Sequence, residues 1–146
     1  MWRELIAGIP ADAVLGAPAG PEELAEVERA LGQRLPRGLA ELLRECGGVG
    51  EDAALEVVWS AGRIARENAQ LRADPSLARL YMPFEPLLFF GSGPGGDLFG
   101  CPRTPEREEV FVWDHETDSR TLVCYRLEDY LRRALTEGGG DWWRAD

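Results

Sequence analysis

The run Phe89-Phe90-Gly91-Ser92-Gly93-Pro94-Gly95-Gly96-Asp97-Leu98-Phe99-Gly100 restricts the fold of this chain more than any other segment. An apolar stretch enters a glycine-dense turn, and Asp97 leads back into a second apolar stretch. A connection this short joins antiparallel neighbours, and so many glycines suit a hairpin turn whose backbone needs positive φ. Gly93, Gly96 and Asp97 are therefore expected to build the turn. Val110 to Trp113 follows a polar loop from Arg103 to Glu109 and ends in Asp114-His115, and Thr121 to Tyr125 follows a second turn from His115 to Arg120. With Leu87 to Phe90 and Asp97 to Cys101, these segments predict a four-strand antiparallel meander.

Upstream, the period of the apolar residues changes. Trp2, Leu5, Ile6 and Ile9 share one helical face, so a short helix ends at Pro10, and the next ten residues read as loop. Pro21 stands at a first helical position with Glu22 and Glu23 behind it, and Leu24, Val27 and Leu31 form a stripe that Gly32 ends. After Leu35-Pro36, the residues Leu39, Leu42, Leu43 and Cys46 mark another helix, with Gly47-Gly48 as its expected C-cap. Leu55 to Trp59 reads as a strand. Ser60 is placed to cap a helix carrying Ile64, Ala65, Asn68 and Leu71 that stops before Asp74-Pro75, where a proline-rich bend follows. Leu127, Tyr130, Leu131, Ala134 and Leu135 mark a closing helix, stopped by Gly138-Gly139-Gly140 and trailed by Asp141-Trp142-Trp143. The expected architecture is a single α+β domain over residues 1–146, core about 21–135. Its centre is a mostly antiparallel sheet of about five strands with helices packed around it.

Charge and residue inventory narrow the function. A chain of 146 residues with 45% apolar residues suffices for one core. A net charge of −10 repels a phosphate backbone, so nucleic acid is not an expected partner. No apolar run approaches the ~20 residues needed to cross a bilayer, and the N-terminus lacks the order of a signal peptide, so no membrane association and a cytoplasmic location are expected. All 16 basic residues are arginine, which removes Schiff-base, Walker-lysine and lysine general-base chemistry. His115 is the single histidine, so a multi-histidine metal centre is excluded by counting. Cys46, Cys101 and Cys124 lie in apolar patterns without Cys-x-x-Cys spacing and are expected to be buried free thiols.

Two motifs imitate other chemistry. Gly91 to Gly96 spells a dinucleotide fingerprint, but that mechanism needs a helix whose first amides face the pyrophosphate. Here Pro94 lacks an amide, Asp97 is negative and a strand follows. Gly95-Gly96-Asp97-Leu98-Phe99 echoes the diguanylate cyclase signature, but Leu98 occupies the acidic position. The acids Asp114, Glu116 and Asp118 converge on one turn without the spacing of a calcium loop. No catalytic residue, cofactor or metal is expected.

The order Leu35-Pro36, Leu42-Leu43, Gly47-Gly48, Gly96-Asp97, Trp113-Asp114-His115 and a closing helix from Leu127 to Leu135 resembles the SUKH superfamily, the Smi/Knr-like proteins, over about Pro21 to Leu135. The chain departs from that pattern in having Gly-Gly where Asn-Gly is commoner, and in the extra Pro94-Gly95. The resemblance implies an α+β domain and a non-catalytic binding module. Bacterial members are mostly immunity proteins that neutralise a cognate toxin by binding it, and fungal relatives act as interaction scaffolds. An interaction scaffold or regulatory subunit is therefore the alternative, followed by a small hydrolase. For a basic toxin, the candidate contact residues are Glu106, Glu108 and Glu109 in the polar loop and Asp114, Glu116 and Asp118 at the hairpin tip. Trp142 and Trp143 either pack back on the core or serve as aromatic anchors. The oligomeric state is left open by the sequence.

Overall fold

Among the described residues, seven strands fall into two antiparallel sheets, one of three and one of four strands, and six α-helices pack around them. The computed structural model describes residues 1–50, 56–137 and 142–144. The larger sheet is the expected meander. Strands β4 (Leu87–Ser92), β5 (Leu98–Pro102), β6 (Val110–Trp113) and β7 (Arg120–Cys124) lie in the order β4-β5-β6-β7. Register fixes which side chains share a face. Gly91, Phe99 and Val112 align on one side, and Ser92, Leu98, Trp113 and Arg120 on the other. Helix α6 (Leu127–Glu137) covers the first face, with the Tyr130 ring against Phe90 at 5.3 Å and against Phe99 at 5.0 Å. On the second face Trp113 meets Phe84 edge-on at 5.1 Å and Tyr81 at 5.3 Å. Edge-to-face rings put the positive rim of one on the negative face of the next, an arrangement that favours such clusters beyond buried area.

The smaller sheet is built from β1 (Val14–Leu15), β2 (Val49–Gly50) and β3 (Glu56–Val58). It makes the strand total seven where about five were expected. The additional strands are only two residues long, too short for alternation to show in sequence. Of the expected strand from Leu55 to Trp59, Leu55 lies outside the described residues. The chain segment just after β3 hydrogen-bonds to β4: Trp59 N–H donates to the Phe90 carbonyl at 2.7 Å. The Tyr130 hydroxyl donates to Val57 C=O at 2.5 Å.

Helices α1 (Trp2–Ala7), α2 (Pro21–Leu31), α3 (Arg37–Glu45), α4 (Ala61–Ala73) and α5 (Pro75–Leu80) complete the chain. α2 has Pro21 in its first turn and ends on Gly32 at φ +64, as its sequence demands. α3 departs from expectation. It ends in an extended Cys46, and Gly47-Gly48 lead into β2 instead of capping the helix. α4 is capped by Ser60, whose hydroxyl accepts from Arg63 N–H at 3.3 Å. α5 occupies the segment read as a bend: Asp74 caps it by accepting from Ser76 N–H at 2.9 Å, and Pro75 fits the first turn. The glycines expected to stop α6 are outside the described residues. α2 packs on α4, α4 on β4, and α1 on α3 and α6.

A buried asparagine joins helix to sheet. Asn68 is 1% exposed; its amide donates to the carbonyls of Ile64 and Phe89, both at 2.8 Å, and its oxygen accepts from Phe89 N–H at 2.9 Å. β4 thereby has a backbone unit satisfied by a side chain beside its ladder.

Candidate functional site

The glycine hairpin, the β6–β7 turn and the short 3-10 helix Trp142–Arg144 meet around one carboxylate. Asp97 is 1% exposed, and its Oδ1 accepts from His115 Nδ1 at 2.8 Å and from His115 N–H at 3.3 Å. Its Oδ2 accepts from Trp143 Nε1 at 3.2 Å. Facing a carboxylate, Nδ1 carries the ring proton, as in orienting pairs of catalytic and metal-ligating histidines. The turn that presents Asp97 is closed by Gly93 N–H to Asp97 C=O at 2.9 Å and Gly96 N–H to Gly93 C=O at 3.3 Å.

The two expected turn glycines are required for different reasons. Gly96 has φ +94, and a Cβ there would stand 3.3 Å from the His115 ring. Gly93 is outside the positive-φ region; a Cβ on it would stand 2.6 Å from Cη2 of Trp143. One is needed for backbone conformation and the other for contact with the C-terminal aromatic segment.

Asp97, Asp114 and His115 bring ligand-capable atoms within 4.8 Å of one another, the one such group of three among the described residues. The arrangement is chemically able to hold a cation, but several of its donor atoms already serve internal hydrogen bonds. Nδ1 and both Asp97 oxygens are bonded as above, and Asp114 Oδ1 accepts from Glu116 N–H at 2.9 Å, an Asx turn that shapes the hairpin tip.

The loop acids are equally committed. Glu108 accepts from Arg37 N–H at 3.3 Å and Gly38 N–H at 3.2 Å, covering the open first turn of α3, and pairs with Arg103 at 3.3 Å. The Arg103 side chain is 3% exposed, and its guanidinium also donates to the carbonyls of Pro102, Arg34 and Arg107. Glu106 pairs with Arg34 at 3.2 Å. Glu109 pairs with Arg107 at 2.5 Å, and that hydrogen bond holds its carboxyl below the ordinary value. Asp118, with φ 60, accepts from Met82 N–H at 2.9 Å and Trp113 Nε1 at 2.7 Å and pairs with Arg120 at 3.2 Å. Burial pushes the Asp118 carboxyl up; those three donors outweigh it and leave the group below its usual value. Among the six candidate contact acids, Glu116 is exposed and makes no ion pair among the described residues.

The aromatic candidates divide. Trp142 is 7% exposed and stacks on Phe99 at 5.4 Å with rings 8° apart. Trp143 is half-buried, edge-on to Phe99 at 5.2 Å, with its indole N–H on Asp97. Burial pushes the Cys101 thiol up to about 12 and raises Cys46 and Cys124. A nucleophile built on Cys101 and His115 would start from a protonated, enclosed sulfur.

Arg103 ties the polar loop to Arg34 and Asn68 ties α4 to β4, roles that neither was assigned from the sequence. Asn68 had a signal, since an amide within the apolar stripe Ile64, Ala65, Leu71 must find buried partners. Arg103 had none, because a loop arginine beside three glutamates reads as a solvated charge.

No helix among the described residues is long and apolar enough to cross a membrane. No curated protein matches the chain significantly. The model of the SMI1 / KNR4 family (SUKH-1) matches residues 18–133, which takes in every element from α2 to most of α6, including the hairpin that holds Asp97. The chain belongs to the SMI1 / KNR4 family (SUKH-1).

Proposed function

We propose that this protein is a non-catalytic binding module that neutralises a cognate bacterial toxin by direct association. Family membership over residues 18–133 carries the reading, because the bacterial members of the superfamily are mostly immunity proteins. Two physical observations support it. The groups closest to a catalytic constellation, Asp97 and His115, are spent on tying two hairpins and the C-terminal segment together. The net charge of −10 favours rapid encounter with a basic partner, and many toxins of such systems are basic nucleases. The cytoplasm is the compartment in which such a protein would act.

The test is binding kinetics with the protein encoded by the adjacent reading frame, together with survival of cells co-expressing the two. Tight binding and rescue are expected. A toxic neighbour that neither binds nor is neutralised would overturn the immunity reading and favour the scaffold or regulatory alternative. One observation favours the hydrolase reading: the 2.8 Å contact between Asp97 and His115 has the geometry of a base and its orienting acid. Turnover of an ester, phosphodiester, peptide or glycoside that vanishes in Asp97→Ala would establish that reading in place of the binding module.

A further inference from the structure

The four-strand meander ends in an open edge. Among the described residues β7 pairs with β6 alone. The other end of the same sheet is enclosed, since β4 has Asn68 of α4 on the backbone of Phe89 and Trp59 on that of Phe90. The phase of the β6–β7 ladder follows from its closing bond, Asp114 N–H to Ser119 C=O at 2.9 Å. In an antiparallel pair, hydrogen-bonded and non-hydrogen-bonded pairs alternate. Trp113 with Arg120 is therefore a non-bonded pair, Val112 with Thr121 a bonded one, and Phe111 with Leu122 non-bonded again. The backbone N–H and C=O of Arg120 and Leu122 thus point away from the sheet.

Sheet edges in folded proteins are commonly blunted by lysine, by proline or by a covering segment. β7 contains neither residue. Its one irregularity is the register shift between Val110 and Phe111, beyond the stretch Arg120 to Leu122. The Arg120 guanidinium is turned away from the edge onto the carbonyls of Met82 and Pro83. Leu122 is 38% exposed and Tyr125 73% exposed, two of the few large apolar side chains open to solvent.

We propose that β7 is the docking edge of this module, and that it receives an extended strand of a basic partner protein, extending the meander to five strands across the interface. The inference rests on the binding-module reading and names the surface it would use. Backbone hydrogen bonds from Arg120 and Leu122 supply register-fixed affinity, and the side chains beside Leu122 and Phe111 supply specificity. Charge decides between a partner and a second copy. An antiparallel self-pairing centred on Leu122 would bring the hairpin tip of each copy, with Asp114 and Glu116, toward the start of α6 of the other, where Glu128 and Asp129 stand with Arg126 and Arg132, and the two chains that must approach each carry −10. A strand with alternating apolar residues and arginine or lysine at both ends meets those same acids favourably.

The test is an NMR titration of the isotope-labelled full chain with a synthetic peptide of about seven residues, alternating valine and threonine between terminal arginines. The expected result is that shift changes and slowed amide exchange centre on Arg120 and Leu122. Binding should fall about tenfold in Leu122→Pro, which removes one outward donor and blocks the edge. Leu122→Arg, a surface change that keeps the fold, should weaken the same peptide through like charge. Shift changes elsewhere, or none in the wild type, overturn the proposal. So does a free protein of doubled mass by sedimentation with the Leu122 amide already protected, which would assign the edge to a second copy. The peptide does not depend on any toxin, so failure here with tight binding of the adjacent-frame protein removes the edge and leaves the binding module. Success here with no such binding keeps the edge and the binding module and removes the toxin-neutralising reading.

Discussion

Single residues in this protein do different work under the same chemistry, and substitutions separate them. Gly96→Ala places a Cβ on a backbone at φ +94 and toward His115, so a stability loss of about 1–2 kcal/mol is expected. Gly93→Ala acts through Trp143, so its loss should largely disappear when Trp143 is also changed to alanine. The Gly96→Ala loss should persist there. Thermal denaturation of the two glycine variants, of Trp143→Ala and of the two double variants measures this; equal behaviour of the two glycines in the double mutants would refute the distinction. Asp118 gives a pH signature. Its carboxyl is held below the ordinary value, so its ionised contacts stabilise the fold above the unfolded-state pKa, and that contribution is lost as pH falls through the folded-state pKa. Asp118→Asn keeps a residue type tolerant of φ 60 but removes the charge. Its melting temperature should lie below wild type at neutral pH and converge with it in strong acid. A gap that is constant with pH would show that geometry alone is responsible. The thiols supply a third signature: with Cys101 pushed up to about 12 and all three cysteines buried, a thiol reagent at pH 8 should label the native chain slowly and the unfolded chain at three sites. Rapid labelling of Cys101 in the native protein would contradict the burial argument.

At the scale of elements, legibility followed length and periodicity. The meander was readable because Leu87 to Phe90, Leu98 to Cys101 and Val110 to Trp113 are apolar runs punctuated by turns, α2 and α4 because their stripes and caps agree, and α6 from its stripe. β1 and β2 were not readable, since two residues hold no period and their pairing is set by segments more than thirty residues apart. Pro75 and Asp74 looked like a bend because proline ends helices more conspicuously than it begins them, yet together they cap α5. The candidate site was legible at its turn and not in its partners. Gly96 and Asp97 declare a special hairpin, while nothing near them in sequence announces that Trp143 closes over it. The acids of the polar loop show the opposite limit: composition marks Glu106, Glu108 and Glu109 as a charged surface, while Glu106 pairs with the distant Arg34, Glu108 braces the start of α3, and Glu109 pairs locally with Arg107. Asn68 is the element-scale counterpart of Asp97. Replacing it with alanine leaves Phe89 N–H and C=O unpaired between α4 and β4, and should cost about 3 kcal/mol. Chemical denaturation would read this, and a loss under 1 kcal/mol would show that water enters to replace the amide.

For the whole molecule, the question is where a charge of −10 acts. Net charge alone steers any basic partner from a distance, but screening confines the useful field to roughly 8–10 Å at physiological salt, so local acids around the docking edge should dominate the encounter. Two triple variants with the same net charge separate these contributions. Glu22, Glu23 and Glu26 lie exposed on α2, away from β7; Glu116, Glu128 and Asp129 flank the two ends of the edge. With each triple changed to the corresponding amides, association with the adjacent-frame protein should slow about threefold more for the edge set, and its dependence on salt should flatten, while dissociation changes little. Neutralising Glu106, Glu108 and Glu109 should behave differently again, because it removes the ion pairs with Arg34, Arg103 and Arg107. Its first effect should be a lower melting temperature, with the residual change in association no greater than that of the α2 set. Equal slowing by all three triples would mean that the partner responds to net charge and not to position. An effect confined to the α2 set would move the interface off β7 and onto the helical face of the domain.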